Sequence, residues 1–310
     1  MTLYLTEEDV GALLTIEDAL AAVEGSFRRL AEGHVENRPR ERVRLEGGLL
    51  AVMVAADLEL GYSGLKTYTA FGYDDVRFVV LLFETDRADL AAVIEANRLG
   101  QLRTGAASGV AARHLARPGA RGLGVIGCGW QAETQVAAIQ AAVPTIERVV
   151  AYCRTPERLH AFCERVGAEP AESQGDAAGQ EVVVTATTSK DPVLRGEWLR
   201  DGALVCAIGA NDASSRELDN VVLERASFVC CDSREQSRVE SGDLIEPVEQ
   251  GVLDWLEVHE LQEVVAGETT GRTSDDDVVL FKSNGIAAWD LAIGAVALAR
   301  ARERGVGREL

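Results

Sequence analysis

Gly122-Leu123-Gly124-Val125-Ile126-Gly127-Cys128-Gly129-Trp130-Gln131-Ala132 decides the fold. An apolar run ends in G-x-G-x-x-A, formed by Gly127, Gly129 and Ala132, where an expected strand (122–127) meets an expected helix (131–142). Gly127 permits the tight turn, and Gly129 lets the backbone approach a pyrophosphate. The small Ala132 lets helix and strand pack closely, and the helix N-terminus favours the anion. Outward from this stretch, strands and helices alternate: strand 148–152, helix 156–166, then strands 181–185, 203–208 and 227–231. Such alternation predicts an α/β fold, a Rossmann-type doubly wound parallel sheet that binds a dinucleotide.

The end of the next strand bears on which dinucleotide. An NAD site usually places an acid about 20 residues on, to hold the ribose 2′-hydroxyl. Here the chain reads Val149-Val150-Ala151-Tyr152-Cys153-Arg154-Thr155, with no acid. Arg154, with Thr155 beside it, suits a 2′-phosphate, because a guanidinium fork matches phosphate oxygens. NADP is therefore favoured and NAD stays open; a solvated surface charge is the plainer reading of Arg154.

Pro118-Gly119 marks a boundary, and the chain before it has another character. Thr6-Glu7-Glu8-Asp9 and Thr15-Ile16-Glu17-Asp18 read as capped helix starts. After the second, Ile16, Ala19, Leu20, Val23, Phe27 and Leu30 recur at helical spacing. Short apolar or alternating runs at 42–45, 49–55, 65–71 and 78–83 are broken by Gly47-Gly48, Gly61 and Asp74-Asp75, which predicts an antiparallel sheet with tight turns. One more strand is expected at 89–95, then a small-residue helix from 97 to 115. This is an α+β domain. Three of its cations stand out: Arg42 at a strand start, Lys66 mid-strand, and Arg103 on the small-residue helix. Taken singly, each reads as a surface charge or a core-edge ion pair. A last helix, 286–303, carries an apolar face, precedes no further strand and could join either domain.

Composition narrows the function classes. With 31 basic against 50 acidic residues the formal net charge is −19, which excludes a broad nucleic-acid or anionic-membrane surface. Hydrophobic residues make up 47% and charged residues 26%, the mix of a globular chain. No run of about 18 apolar residues exists, so no membrane span is expected. The N-terminus lacks the pattern of a secretion signal. None of the six cysteines forms a C-x-x-C pair. The expectation is a reduced, cytoplasmic chain with no bound metal.

In order along the chain stand Gly61-Tyr62-Ser63-Gly64-Leu65-Lys66, Leu102-Arg103-Thr104-Gly105-Ala106-Ala107, the Val125–Gln131 loop, Arg216-Glu217-Leu218-Asp219, Gly271-Arg272-Thr273-Ser274-Asp275 and Phe281-Lys282-Ser283-Asn284-Gly285. This series resembles the ornithine cyclodeaminase/mu-crystallin family over nearly the whole chain. The resemblance implies a substrate-binding and dimerisation domain (1–116 with 288–310) and an NAD(P)-binding domain (117–287), assembled as a homodimer. It implies that Arg42 and Lys66 contact a small imino or amino acid, with Arg103 between the substrate carboxylate and the cofactor. Trp130 and Gln131 match phosphate-loop contacts, Thr187 a cofactor contact, and Ile208 and Ser283 positions at the nicotinamide end. The chemistry agrees, since an α-imino carboxylate needs cations to orient it and a desolvated ammonium can donate a proton.

Two departures bear on the reaction. Where the cyclodeaminase has an acid after Gly209-Ala210 this chain has Asn211, with Asp212 displaced by one. Where it has a Glu two residues before Met53 this chain has Ala51. A carboxamide cannot serve as a carboxylate base at neutral pH. The expectation is an NAD(P)H-dependent oxidoreductase of CH–NH and C=N bonds that reduces a small imino acid, such as a cyclic ketimine, by hydride transfer. Lys66, Arg42, Arg103 and Asn211 form the expected catalytic group. An alanine dehydrogenase-like enzyme, an ornithine cyclodeaminase, or a dinucleotide-binding protein without turnover are the alternatives.

Overall fold

The computed structural model describes residues 1–72, 76–87 and 89–310, so the break expected at Asp74-Asp75 lies outside the described residues. The chain forms two compact units, Met1–Arg103 with Gly285–Leu310, and Thr104–Asn284. The first division falls inside a helix, ahead of Pro118-Gly119. The small residues of that helix explain the place: a Cβ on Gly105 would sit 2.4 Å from the Thr134 carbonyl oxygen, so the second half of the helix packs within the second unit.

The first unit opens with β1 (Leu3–Leu5), α1 (Glu7–Leu13) and α2 (Ile16–Ala31), whose caps Thr6 and Thr15 form capping boxes with Asp9 and Asp18. Ala19, Leu20, Val23 and Phe27 of α2 are buried, as their spacing requires. Then come β2 (Val35–Asn37), β3 (Glu41–Leu45), β4 (Gly48–Asp57), β5 (Tyr62–Ala70), β6 (Val76–Glu84) and β7 (Leu90–Glu95). The sheet runs β1-β7-β6-β5-β4-β2, with β3 also on β4. Its pairs are antiparallel except β1 with β7. The last helix, Ala287–Arg304, belongs to this unit and lies over β4, β5 and β6 with α2 beside it. Against expectation a strand follows it: Arg308–Glu309 pairs with β1.

The pleat sorts this sheet into two faces. Ala51, Met53 and Ala55 of β4, Lys66 of β5, and Val80 and Leu82 of β6 are buried, and Lys66 stands between Met53 and Val80. Trp289 of the last helix meets Phe27 edge-on, with ring centroids 5.2 Å apart. Each such fully buried large side chain contributes about 1.5–3 kcal/mol. On the opposite face Leu50, Val52, Leu65, Val79 and Leu81 are only half-buried and Val54 is exposed.

The second unit is an all-parallel sheet. Its strands are β8 (Gly122–Ile126), β9 (Arg148–Tyr152), β10 (Glu169–Pro170), β11 (Val182–Thr185), β12 (Leu204–Ala207), β13 (Ala226–Cys231), β14 (Val258–Glu260) and β15 (Val278–Lys282). Their order is β10-β9-β8-β11-β12-β15-β13-β14. Every residue of β8, β11, β12 and β15 is buried, as expected where helices cover both faces, and β8, β11 and β12 accordingly read as apolar runs. The chain winds from β8 to β9 and β10 on one side, then returns to β11 and β12 on the other, and so makes a crevice at the C-terminal end of β8. Helices α3 (Asn97–Leu115), α4 (Trp130–Ala142) and α5 (Pro156–Val166) match the expected segments to within a residue. Sequence reading missed β15, which slots between β12 and β13. All six cysteines are free thiols.

Candidate functional site

In the second unit a cleft of about 240 Å³ opens over the C-terminal ends of β8, β9 and β11. Gly127, Cys128 and Gly129 line it, with Tyr152, Cys153, Arg154, Thr155 and Arg158 on one side and Ala186, Thr187, Thr188 and Ser189 on the other. Gly127 has φ +112°, and a Cβ there would lie 2.3 Å from the Ala186 carbonyl oxygen, so no other residue fits. A Cβ on Gly129 would meet nothing within 4 Å, and Gly129 caps α4 without a side-chain hydrogen bond. The backbone at Gly129, where α4 begins, can therefore be approached closely, as a dinucleotide pyrophosphate needs. Trp130 is 46% exposed and Gln131 half-buried beside them. Arg158 is an addition that sequence reading missed. It lies four residues past Arg154, one turn into α5, so two guanidinium groups face the β9 side of the cleft.

Behind the other side lies a buried polar scaffold. Glu217 Oε1 accepts from Thr187 N (2.7 Å) and Thr187 Oγ1 (2.8 Å), while Oε2 accepts from Thr185 Oγ1 (2.8 Å) and Gly209 N (2.7 Å). Burial pushes the Glu217 carboxyl up and Asp243 adds to the push, while Lys282 opposes it. Asp243 Oδ1 accepts from Glu217 N (2.7 Å) and Leu218 N (2.9 Å). Lys282 Nζ lies 3.1 Å from Asp243 Oδ2, too poorly aligned for a good hydrogen bond, and donates to the Ala210 carbonyl at 2.5 Å. Ser283, expected at the nicotinamide end, is 2% exposed, and its hydroxyl donates to Asp232 at 3.0 Å. Ile208 is buried at the end of β12, bonded through its N–H to Thr185 O at 2.9 Å. Asn211 is exposed just past Ala210. Asp212, the displaced acid, closes a local turn by accepting from Ser214 N (2.9 Å) and Ser214 Oγ (2.5 Å).

The first unit gathers a second cluster. Lys66 Nζ lies 3.3 Å from Asp290 Oδ1, and Arg103 Nε lies 3.2 Å from the same oxygen. Lys66 is 2%, Arg103 7% and Asp290 0% exposed. Phe78 covers the ammonium at 4.7 Å from its ring centroid. Gly285 has φ +78°, and a Cβ there would lie 2.2 Å from Arg103 Nη1; this glycine lets the guanidinium lie against the backbone. Burial, with Arg103 next and Arg40 after it, pulls Lys66 down to about 7, against the upward pull of Asp290. The cluster thus includes Arg40, which is 5% exposed, where the sequence had singled out Arg42. Arg42 sits two residues further along, half-buried on β3 opposite Ala51. Two arginines of the same parity are equivalent to a pattern; burial separates them. Asp290 was also missed. Its signal was an acid inside the apolar stretch Ala287-Ala288-Trp289-Asp290-Leu291-Ala292-Ile293.

The model of the ornithine cyclodeaminase/mu-crystallin family matches residues 1–305. Among curated proteins, the alanine dehydrogenase of Archaeoglobus fulgidus is 35% identical over 323 residues, covering 100% of this chain and 98% of its own. A Delta(1)-pyrroline-2-carboxylate reductase of Bacillus cereus is 34% identical over 276 residues, 84% of each chain. Among solved structures, the Delta(1)-pyrroline-2-carboxylate reductase of Thermococcus litoralis, in complex with NADH and L-proline, superposes with a TM-score of 0.94 at 30% identity, covering 99% of this chain and 100% of that one.

Proposed function

The chain belongs to the ornithine cyclodeaminase/mu-crystallin family, and on that premise we propose that it is an NAD(P)H-dependent oxidoreductase that reduces a small imino acid, cyclic by preference, at its C=N bond. The observation that carries this reading is the Lys66–Asp290–Arg103 cluster. Lys66 and Arg103, both buried, share one Asp290 oxygen, and Arg40 stands near enough to act on Lys66, so the cluster gathers cations suited to a substrate carboxylate. Lys66, with its ammonium near neutral pKa, is the proton donor to the imine nitrogen; Arg103 and Arg40 orient the carboxylate. A nicotinamide cofactor would supply the hydride when bound, and the Gly127–Gly129 loop at the start of α4 would hold its pyrophosphate. Thr187 lines the cleft, and Trp130 and Gln131 open α4 beside its glycine loop; the family resemblance assigns Ile208, Asn211 and Ser283 to the nicotinamide end. Asp212, engaged with Ser214, is not placed to replace the cyclodeaminase acid.

Arg154 and Arg158 together make NADPH the better cofactor, for two guanidinium groups at one cleft edge match a 2′-phosphate. The test is NAD(P)H oxidation followed at 340 nm with both cofactors, against cyclic imino acids, pyruvate with ammonia, and ornithine. The expected result is stoichiometric NADPH oxidation with a cyclic imino acid, with NADPH preferred about tenfold to a hundredfold over NADH. The double change Arg154→Asp, Arg158→Ala should erase that preference. Ornithine turned into proline without net cofactor consumption would overturn the reductase reading, and oxidation only with pyruvate and ammonia would favour an alanine dehydrogenase.

The apolar face of Leu50, Val52, Leu65, Val79 and Leu81, half-buried, with exposed Val54 among them, supports a homodimer joined through the first unit's sheet. Sedimentation equilibrium should give a dimer or larger assembly at micromolar concentration; a monomer would contradict it. No helix among the described residues is long and apolar enough to cross a membrane. The free thiols fit a cytoplasmic setting.

A further inference from the structure

We propose that Glu217 is a positioning residue of the dinucleotide cleft: its buried carboxylate ties the Thr187 loop to the Gly209–Ala210 turn, and so fixes the seat of the nicotinamide half. The inference rests on the dinucleotide reading of the cleft and goes beyond it, since Glu217 neither lines the cleft nor is exposed.

The geometry is specific. Each oxygen of Glu217 takes one backbone N–H from a different strand-end loop, Thr187 N on Oε1 and Gly209 N on Oε2, both at 2.7 Å. The loops follow β11 and β12, adjacent parallel strands held in register from Val182–Leu204 to Thr185–Ala207. Asp243 fixes Glu217 itself by accepting from its N–H, and Lys282 joins Asp243 to the Ala210 carbonyl. One carboxylate therefore sets the spacing between Thr187, which lines the cleft, and the turn that presents Asn211. With Arg154 and Arg158 on the β9 side and the pyrophosphate loop at β8, the adenosine half belongs to β9. The nicotinamide half then falls over β11 and β12.

Glutamine at this position has the right size and the wrong donors. Whichever way its amide turns, the NH2 meets either Thr187 N–H or Gly209 N–H, donor against donor. One loop must move while the β9 side is untouched. The test measures dissociation constants of wild type and Glu217→Gln, by titration calorimetry, for NADPH and for two probes lacking nicotinamide, 2′,5′-ADP and ADP-ribose. Glu217→Gln should weaken NADPH about tenfold or more while the tighter-binding probe stays within about twofold. A general loss of structure would weaken all three together, and thermal melts check folding. Thr185→Val, which removes one buried hydroxyl donor to Oε2 (2.8 Å) without touching the cleft, should give a smaller shift with the same selectivity if Glu217→Gln does not fold. Equal weakening of NADPH and probe, or no change in either, overturns the role of Glu217. A wild-type protein that binds neither NADPH nor NADH overturns the cleft assignment and this inference with it.

Discussion

Lys66→Ala is expected to lower kcat/KM for imine reduction by about a thousandfold or more and to leave NADPH affinity within about twofold. Two losses add. A positioned general acid contributes about 10²–10⁴ in rate, and a cation facing a desolvated substrate carboxylate contributes further. The ammonium is buried beneath Phe78 and beside Asp290, so water cannot easily take its place. The pH dependence carries the same assignment. Lys66 titrates at about 7, because burial and Arg103 disfavour its charged form more than Asp290 restores it. Below that pH it is an ammonium and can donate; above it, it is an amine and cannot. The kcat/KM for reduction should therefore fall as pH rises through about 7, and that for oxidation of the amino acid should rise over the same range. If Lys66→Ala keeps wild-type kcat/KM, the cluster is structural and the site lies elsewhere.

The two units were unequally legible. In the second, buried parallel strands leave apolar runs with nothing polar to disguise them, and glycine turns separate them, so β8, β9, β11, β12 and β13 could be read directly. β15 escaped because it ends on Lys282, a buried lysine that breaks the apolar run; only the fold supplies Asp243 and the Ala210 carbonyl as its partners. β1, β2, β10, β14 and the final strand are two or three residues long, too short for alternation to register. Two ordered motifs serve as scaffold. Glu217 and Asp219 hold loop and helix N–H groups, and Arg272 donates to Leu115 O at 2.9 Å. At the charged cluster, residue type drew attention to Lys66 and Arg103, but Asp290 and Arg40 needed the fold. Their partners lie far away in the chain, and no local pattern encodes a separation of 224 residues between Lys66 and Asp290.

Asp290→Ala should destabilise the protein by about 3–5 kcal/mol near neutral pH, the range for removing one partner of a buried ion pair. One Asp290 oxygen serves both Lys66 and Arg103, all three buried, so its loss leaves two cations facing each other in a low dielectric. Lys66 can relieve part of this by shedding its proton, and the relief has a sign. Its folded pKa, already about 7 against 10.5 for the free side chain, drops further once the carboxylate that raised it is gone. The unfolded state then holds more protons than the folded state between the two values. Stability must therefore rise with pH across that window, and the deficit is fully expressed below it. Chemical denaturation at several pH values measures this. Asp290→Asn keeps the volume and should fold, and it isolates the electrostatic part: the falling limb of kcat/KM for reduction should move below 7 by about one pH unit or more. The limb then drops away from neutrality, so at pH 7 the variant loses activity through a smaller protonated fraction and recovers much of it in mildly acidic buffer. A limb that stays at about 7 in Asp290→Asn would mean that the titrating group is not Lys66.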